Sequence, residues 1–108
     1  MPTSPAAHQS TATARIVGPI DLDRARKTRR LLLDCLSERE NLLVDMSAVP
    51  QVDGAGAAIL VEAHHAALKN GKGFALACVS ESVMRVLRLA RLDRIFTVRD
   101  CPHQEGVH

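Results

Sequence analysis

The chain has no tryptophan and no tyrosine, and Phe74 and Phe96 are its only aromatics. Base-stacking platforms for single-stranded nucleic acid are therefore missing. A net charge of +2 is too small to mark a nucleic-acid surface. No apolar run approaches the roughly 20 residues of a membrane span. The N-terminal MPTSPAAHQST lacks the basic start and apolar core of a secretory signal. Cys35, Cys78 and Cys101 are odd in number, widely spaced and without a CxxC, which reads as free thiols in a reducing compartment. Cys35 and Cys78 lie in apolar runs and are expected to be small core residues. A cytoplasmic location follows as the expectation, with no nucleic acid and no direct membrane insertion.

What is present suits one domain with an aliphatic core. The 108 residues are 46% hydrophobic and 24% charged, and a chain of this size buries roughly two-thirds of its unfolded surface. Tails are expected at 1–11 and 100–108, around a single domain over 12–99. Strands are expected at 12–17, 42–46, 74–79 and 95–98. Helices are expected at about 23–36, 54–70 and 81–90. Asp53 and Ser80 supply side-chain oxygens for the second and third helix starts, and Asn70-Gly71 ends the second. The second helix has a wide apolar set, Ile59, Leu60, Val61, Ala63, Ala66, Ala67 and Leu68, with Glu62, His65 and Lys69 as a solvent stripe. Val83, Val86, Leu87 and Ala90 form the third helix's inner stripe. A β-α-β-α-β-α-β order predicts an α/β fold, its sheet largely parallel and its helices mainly on one face.

The stretch Leu42–Leu60, LLVDMSAVPQVDGAGAAIL, organises the rest. An apolar strand is followed by Asp53 at the mouth of a helix whose first turn is Gly54, Ala55, Gly56, Ala57 and Ala58. That turn presents orphan N–H groups covered by almost no side chain. In an open α/β sheet, partners and ligands dock at such strand ends.

Catalytic motifs do not fit. Gly54-Ala55-Gly56 fails as a dinucleotide fingerprint, because its sixth position is Ile59 and it does not follow the first strand. There is no GxxxxGK[ST]. Asp21, Asp45 and Asp53 are expected on one sheet edge, where they could hold Mg²⁺ for phosphoryl chemistry or merely cap turns. His64-His65 cannot share a metal from one helix face, and Cys101 with His103 lacks further ligands. His64 is placed beside Leu60 and Leu68 at the core border. Two basic groups, Arg24–Arg30 on the first helix and Arg85, Arg88 and Arg91 on the third, read as solvated faces or as landing strips for an acidic partner.

Gly18-Pro19-Ile20-Asp21, Leu42-Leu43-Val44-Asp45-Met46-Ser47 and Val52-Asp53-Gly54-Ala55-Gly56 are followed by Gly71 before Phe74–Val79, then by Val83-x-x-Val86-Leu87 and Leu92-Asp93-Arg94-Ile95-Phe96. Over about residues 14–99 this series resembles the STAS domain family: in turn its G-x-L-D, its hydrophobic–D–L–S strand, its D-[ST]-[SAG]-G helix start and its closing half. The resemblance is nearest to bacterial anti-sigma factor antagonists. It implies a mixed, largely parallel sheet of four to five strands, sometimes begun by an extra strand. It also implies a non-catalytic regulatory module without cofactor or metal, binding a kinase-type anti-sigma factor. Docking would use the Pro19–Leu22 loop with Asp21, and Asp53 to Ala58, including Gly54, Ala55, Gly56 and Ala57. The family's phosphorylatable positions are Gly54 and Ala55 here, so the usual phospho-acceptor is absent and its equivalent is Ala55. Alternatives are a small STAS subunit clasping the ATPase of a phospholipid-transport ABC system, and a Mg²⁺- or nucleotide-binding domain.

Overall fold

A computed structural model describes residues 11–37 and 41–101. The expected tails fall almost wholly outside this range, and so do His103 and most of the Ser37–Asn41 turn. Four strands, β1 (Thr11–Val17), β2 (Asn41–Ala48), β3 (Phe74–Ala77) and β4 (Thr97–Arg99), form one sheet in the order β1-β2-β3-β4. All three pairings are parallel. The crossovers are α1 (Ala25–Ser37), α2 (Gly54–Lys69) and α3 (Glu81–Leu89).

Strand side chains alternate between faces, and only one face joins the core. Ala14 and Ile16 of β1, Leu42, Val44 and Met46 of β2, and Phe74 and Leu76 of β3 pack with Leu32 and Leu36 of α1. Leu60, Ala63 and Ala67 of α2 and Val83 and Leu87 of α3 complete the same cluster. The helices therefore lie on one side of the sheet. On the other side two rows run across the strands, Thr13–Leu43–Ala75–Thr97 and Arg15–Asp45–Ala77–Arg99.

The helix ends follow the sequence chemistry. Ser80 caps α3 by accepting from the Val83 N–H at 3.3 Å. Gly71, at φ 69°, turns the chain after α2, and Lys72 N–H donates back to Ala67 O at 2.8 Å. The stop after α3 has the same form without glycine. Arg91 takes φ 62°, and Leu92 N–H donates to Leu87 O at 2.7 Å.

Several expectations need correction. The first helix starts at Ala25, because Asp21 caps a separate 3₁₀ turn, Leu22–Arg24, by accepting from Arg24 N–H. The third strand stops at Ala77, because Cys78 adopts φ 59° and leaves the extended conformation. The last strand begins at Thr97. Ile95 and Phe96 N–H both donate to Leu92 O, so Phe96 enters the core from a turn. Leu68 is 60% exposed and Ala90 is exposed, so neither belongs to an inner stripe.

The cysteine reading is overturned for two of the three residues. Cys78 and Cys101 form a disulfide, with Cα atoms 4.3 Å apart, and Cys35 takes no part in it. An odd count does not forbid one pair. The parallel β3–β4 pairing carries the chain around α3 and returns it beside its starting point, which a separation of 23 residues does not reveal. Cys78 is also half-buried, outside the core.

Candidate functional site

The site sits at the C-terminal edge of the sheet, where the loops after β1 and β2 run side by side. Pairing continues past the strands: Gly18 N–H donates to Ala48 O at 2.9 Å, and Ile20 N–H to Gln51 O at 3.1 Å. Asp53 N–H then donates to Ile20 O at 3.2 Å. Ile20 and Val49 are fully or almost fully buried beneath this corner. Loop backbone that would otherwise be unpaired is thereby satisfied.

Asp53 joins the two loops to α2. Its Oδ1 accepts from Gly56 N–H at 2.8 Å, the N-cap bond expected from sequence. Its Oδ2 accepts from Leu22 N–H at 3.2 Å, across 31 residues. One carboxylate thus satisfies two donors on separate segments, and bonds to an ionised acceptor are stronger than neutral ones. Asp21 does similar work locally: its Oδ1 accepts from Arg24 N–H at 3.0 Å, and the Arg24 Nη1 donates to Val17 O at 3.3 Å.

Gly56 is the point of closest approach. A Cβ built there would lie 2.0 Å from Ile20 O and 2.8 Å from Ile20 C and Cγ2. Only glycine lets the first turn of α2 touch the β1 loop. Gly54, by contrast, has nothing within 4 Å of a built Cβ.

The residues expected to dock a partner therefore divide. Asp53, Gly54 and Ala58 are exposed, and Asp21 and Ala55 are partly so, whereas Gly56 and Ala57 face inward and are buried. Gly54 and Ala55 N–H have no acceptor among the described residues, while Ala57 N–H already donates to Asp53 O at 2.8 Å. Leu22 stands beside this mouth with its side chain 72% exposed. It ends the Pro19–Leu22 loop expected to dock; only the Asp53 bond that holds its backbone, which spans 31 residues, is not legible in the sequence.

The other candidates lie elsewhere. Asp45 lies within β2, beside the last residue of β3, on the sheet face away from the helices, and its Oδ1 accepts from Ser47 N–H at 2.9 Å. The three aspartates therefore do not converge, and no group of three or more His, Cys, Asp or Glu side chains suited to a metal occurs among the described residues. His64, half-buried at the core border, packs edge-on against Phe74 and Phe96, at ring separations of 5.8 and 5.5 Å. Burial, and then the neighbouring His65, lower its pKa, and its Nδ1 is buried without a partner among the described residues. The α1 cations are exposed, and Arg29 pairs with Glu62 of α2 at 2.6 Å. Arg85, Arg88 and Arg91 are exposed as well, with Arg88 3.5 Å from Glu81. No helix among the described residues is long and apolar enough to cross a membrane.

Solved structures share this architecture. A Thermotoga maritima protein assigned as an anti-sigma factor antagonist superposes with a TM-score of 0.79 at 22% identity, over 89% of this chain and 84% of that one. A sulfate transporter family protein from Wolinella succinogenes gives 0.75 at 21% identity, over 92% and 86%. The anti-sigma factor antagonist SpoIIAA of Bacillus, in its unphosphorylated form, gives 0.73 at 14% identity, over 92% and 86%. At these identities the likeness establishes the fold. The sequence itself matches the STAS domain model over residues 4–104. With four described strands in parallel, covered on one face, and a helix mouth fastened to the first loop by Asp53, the chain belongs to the STAS domain family.

Proposed function

We propose that this protein is a non-catalytic regulatory module of the anti-sigma factor antagonist type, acting in the bacterial cytoplasm. It binds a kinase-type anti-sigma factor through the corner formed by Leu22, Asp53, Gly54, Ala55 and Ala58. The observation that carries this reading is the double anchorage of Asp53, to Gly56 N–H at 2.8 Å and Leu22 N–H at 3.2 Å. It fixes an exposed leucine and two unpartnered backbone donors on one rigid surface before any partner arrives, and pre-organisation lowers the entropy lost on binding.

The same geometry bears on regulation. SpoIIAA has been solved in a phosphorylated form. A phosphate adds about −1.5 to −2 charges at neutral pH, enough to repel an acidic or apolar partner from a docking corner. In this chain the corresponding turn holds Gly54 and Ala55, without a hydroxyl. The docking corner is therefore kept and its covalent off-switch is absent.

Affinity capture from the protein's own cells tests this, using the wild type and Ala55→Glu, with captured proteins identified by mass spectrometry. A kinase-type anti-sigma factor held by the wild type and lost by the variant, at unchanged melting temperature, is the expected result. Equal capture of that partner by both forms would place the docking surface elsewhere. Loss of a transporter ATPase instead would keep the surface and change the partner class. Millimolar Mg²⁺ or GTP is expected to leave the melting temperature unmoved; a rise would favour the metal- or nucleotide-binding alternative.

A further inference from the structure

The sheet edge that carries Asp53 also carries a pair of cysteines. All strands are parallel, so the ends of β3 and β4 lie on the same edge as the loops after β1 and β2. Ala77 and Arg99 are the last paired residues of β3 and β4. Cys78 N–H extends the ladder by donating to Arg99 O at 3.3 Å. Cys101 follows two residues later, with its Cα 4.3 Å from that of Cys78. Cys78 is held at φ 59°, a left-handed conformation uncommon for a residue with a side chain. That turn takes its thiol off the core face, where strand alternation would have buried it. Both cysteines are half-exposed, and they border an open cleft of about 330 Å³ lined by Ser47, Met84 and Arg99 among others. A small thiol reagent that entered this cleft would meet both residues. Cys35 is also half-exposed, but it lies on α1, packed against the core and outside the lining of this cleft.

We propose that Cys78 and Cys101 are a reversible thiol–disulfide pair that clasps the end of β4 to the start of α3. The oxidant is a low-molecular-weight disulfide such as oxidised glutathione. One cysteine thiolate attacks a sulfur of that molecule, forming a mixed disulfide and releasing one thiolate. The second cysteine thiolate then attacks the protein-bound sulfur and releases the other. Two protein thiols become one disulfide, and one small disulfide becomes two thiols. Reduction runs the same steps backwards. Reversibility follows from location: in a reducing compartment, disulfides are usually transient or redox-sensing. That argument, and any effect on docking at this edge, rests on the function proposed above; the formation of the pair does not.

Closing the bond fixes Arg99–Cys101 across the cleft and ties the chain beside Ser80, the cap of α3. It encloses α3 and β4 in a covalent loop of 23-residue separation, so the oxidised chain resists unfolding more than the reduced one.

The test equilibrates the purified full-length chain against a graded series of oxidised-to-reduced glutathione ratios. Free thiols are trapped by alkylation, and cysteine-containing peptides are assigned by mass spectrometry. A single two-electron transition is expected within the range of glutathione poise, yielding a Cys78–Cys101 linked peptide and leaving Cys35 alkylated. The oxidised form should melt about 10 °C above the reduced form. Cys101→Ser should melt like the reduced wild type under both conditions, and Cys35→Ser should keep the difference. A pair that stays reduced at every ratio, a bond that glutathione cannot open, or linkage through Cys35 or between chains would overturn the proposal. None of these readouts involves a partner protein, so failure of the docking function would leave them untouched.

Discussion

Gly56 offers a prediction whose sign runs against helix propensity. Replacing a helical glycine with alanine in open space stabilises a protein by about 0.8–1 kcal/mol. Gly54, one helical position from the cap with nothing near a built Cβ, should follow this rule. Gly54→Ala is expected to gain a few tenths of a kcal/mol up to about 1 kcal/mol. At Gly56 the added methyl would sit 2.0 Å from the carbonyl oxygen of Ile20, which is backbone and cannot rotate away. The loop after β1 must retreat from α2. Overpacking costs about 1–3 kcal/mol. The retreat also strains two hydrogen bonds that cross this junction, Asp53 N–H to Ile20 O and Leu22 N–H to Asp53 Oδ2, each worth about 1 kcal/mol. Setting the propensity gain against these, Gly56→Ala should destabilise by about 2–4 kcal/mol. Urea unfolding of the two variants beside the wild type measures this as a change in midpoint at constant slope. A Gly56→Ala midpoint at or above the wild-type value would refute the close approach. So would equal shifts in the two variants.

Further predictions follow from the other ends and corners. Asp53→Ala removes both the α2 cap and the acceptor for Leu22, and should cost about 1–2 kcal/mol, with Asp53→Asn recovering part of it in the same denaturation assay. Arg91→Gly places glycine at φ 62° and should stabilise by about 0.5–1 kcal/mol in thermal melts; a loss would mean that the arginine side chain makes a contribution of its own. His64 has a lowered pKa from burial and from His65, so between that value and the ordinary 6.5 the unfolded chain binds more protons than the folded one. Stability should be full above about pH 6.5 and fall as pH drops through the folded pKa. His64→Phe should remove this component of the pH dependence of Tm below pH 6.5, and an unchanged slope would show that the ring is not held neutral.

The sequence made the organising stretch legible for local reasons. Asp53 before a small-residue turn, Ser80 before Val83 and Gly71 after a long apolar helix are each short-range signals, and all three ends appear where those signals put them. The alternation of strands and helices was enough for a parallel sheet covered on one face. What stayed hidden depends on contacts between distant segments. Leu22 is posed by Asp53, 31 residues away. Gly56 and Ala57 share the first turn with Ala55 and Ala58 but are buried, Gly56 against the β1 loop and Ala57 in the core, which nothing in GAGAA discloses. Asp45 looked like a strand end because the apolar run stops near it, yet β2 continues to Ala48. Cys78 read as a strand residue because FALACV is apolar throughout, and its left-handed turn towards Cys101 follows from the return of β4.

On the proposed function, the Asp53 corner docks a kinase-type anti-sigma factor and carries no acceptor for phosphate. Once such a partner is purified, the direct measurement is complex formation in the presence of ATP, with wild type and Ala55→Ser compared side by side. The wild type should stay bound and take up no phosphate, whereas Ala55→Ser should be phosphorylated at the new hydroxyl and released. Phosphorylation and release of the wild type, or retention of Ala55→Ser after it has been phosphorylated at residue 55, would contradict it.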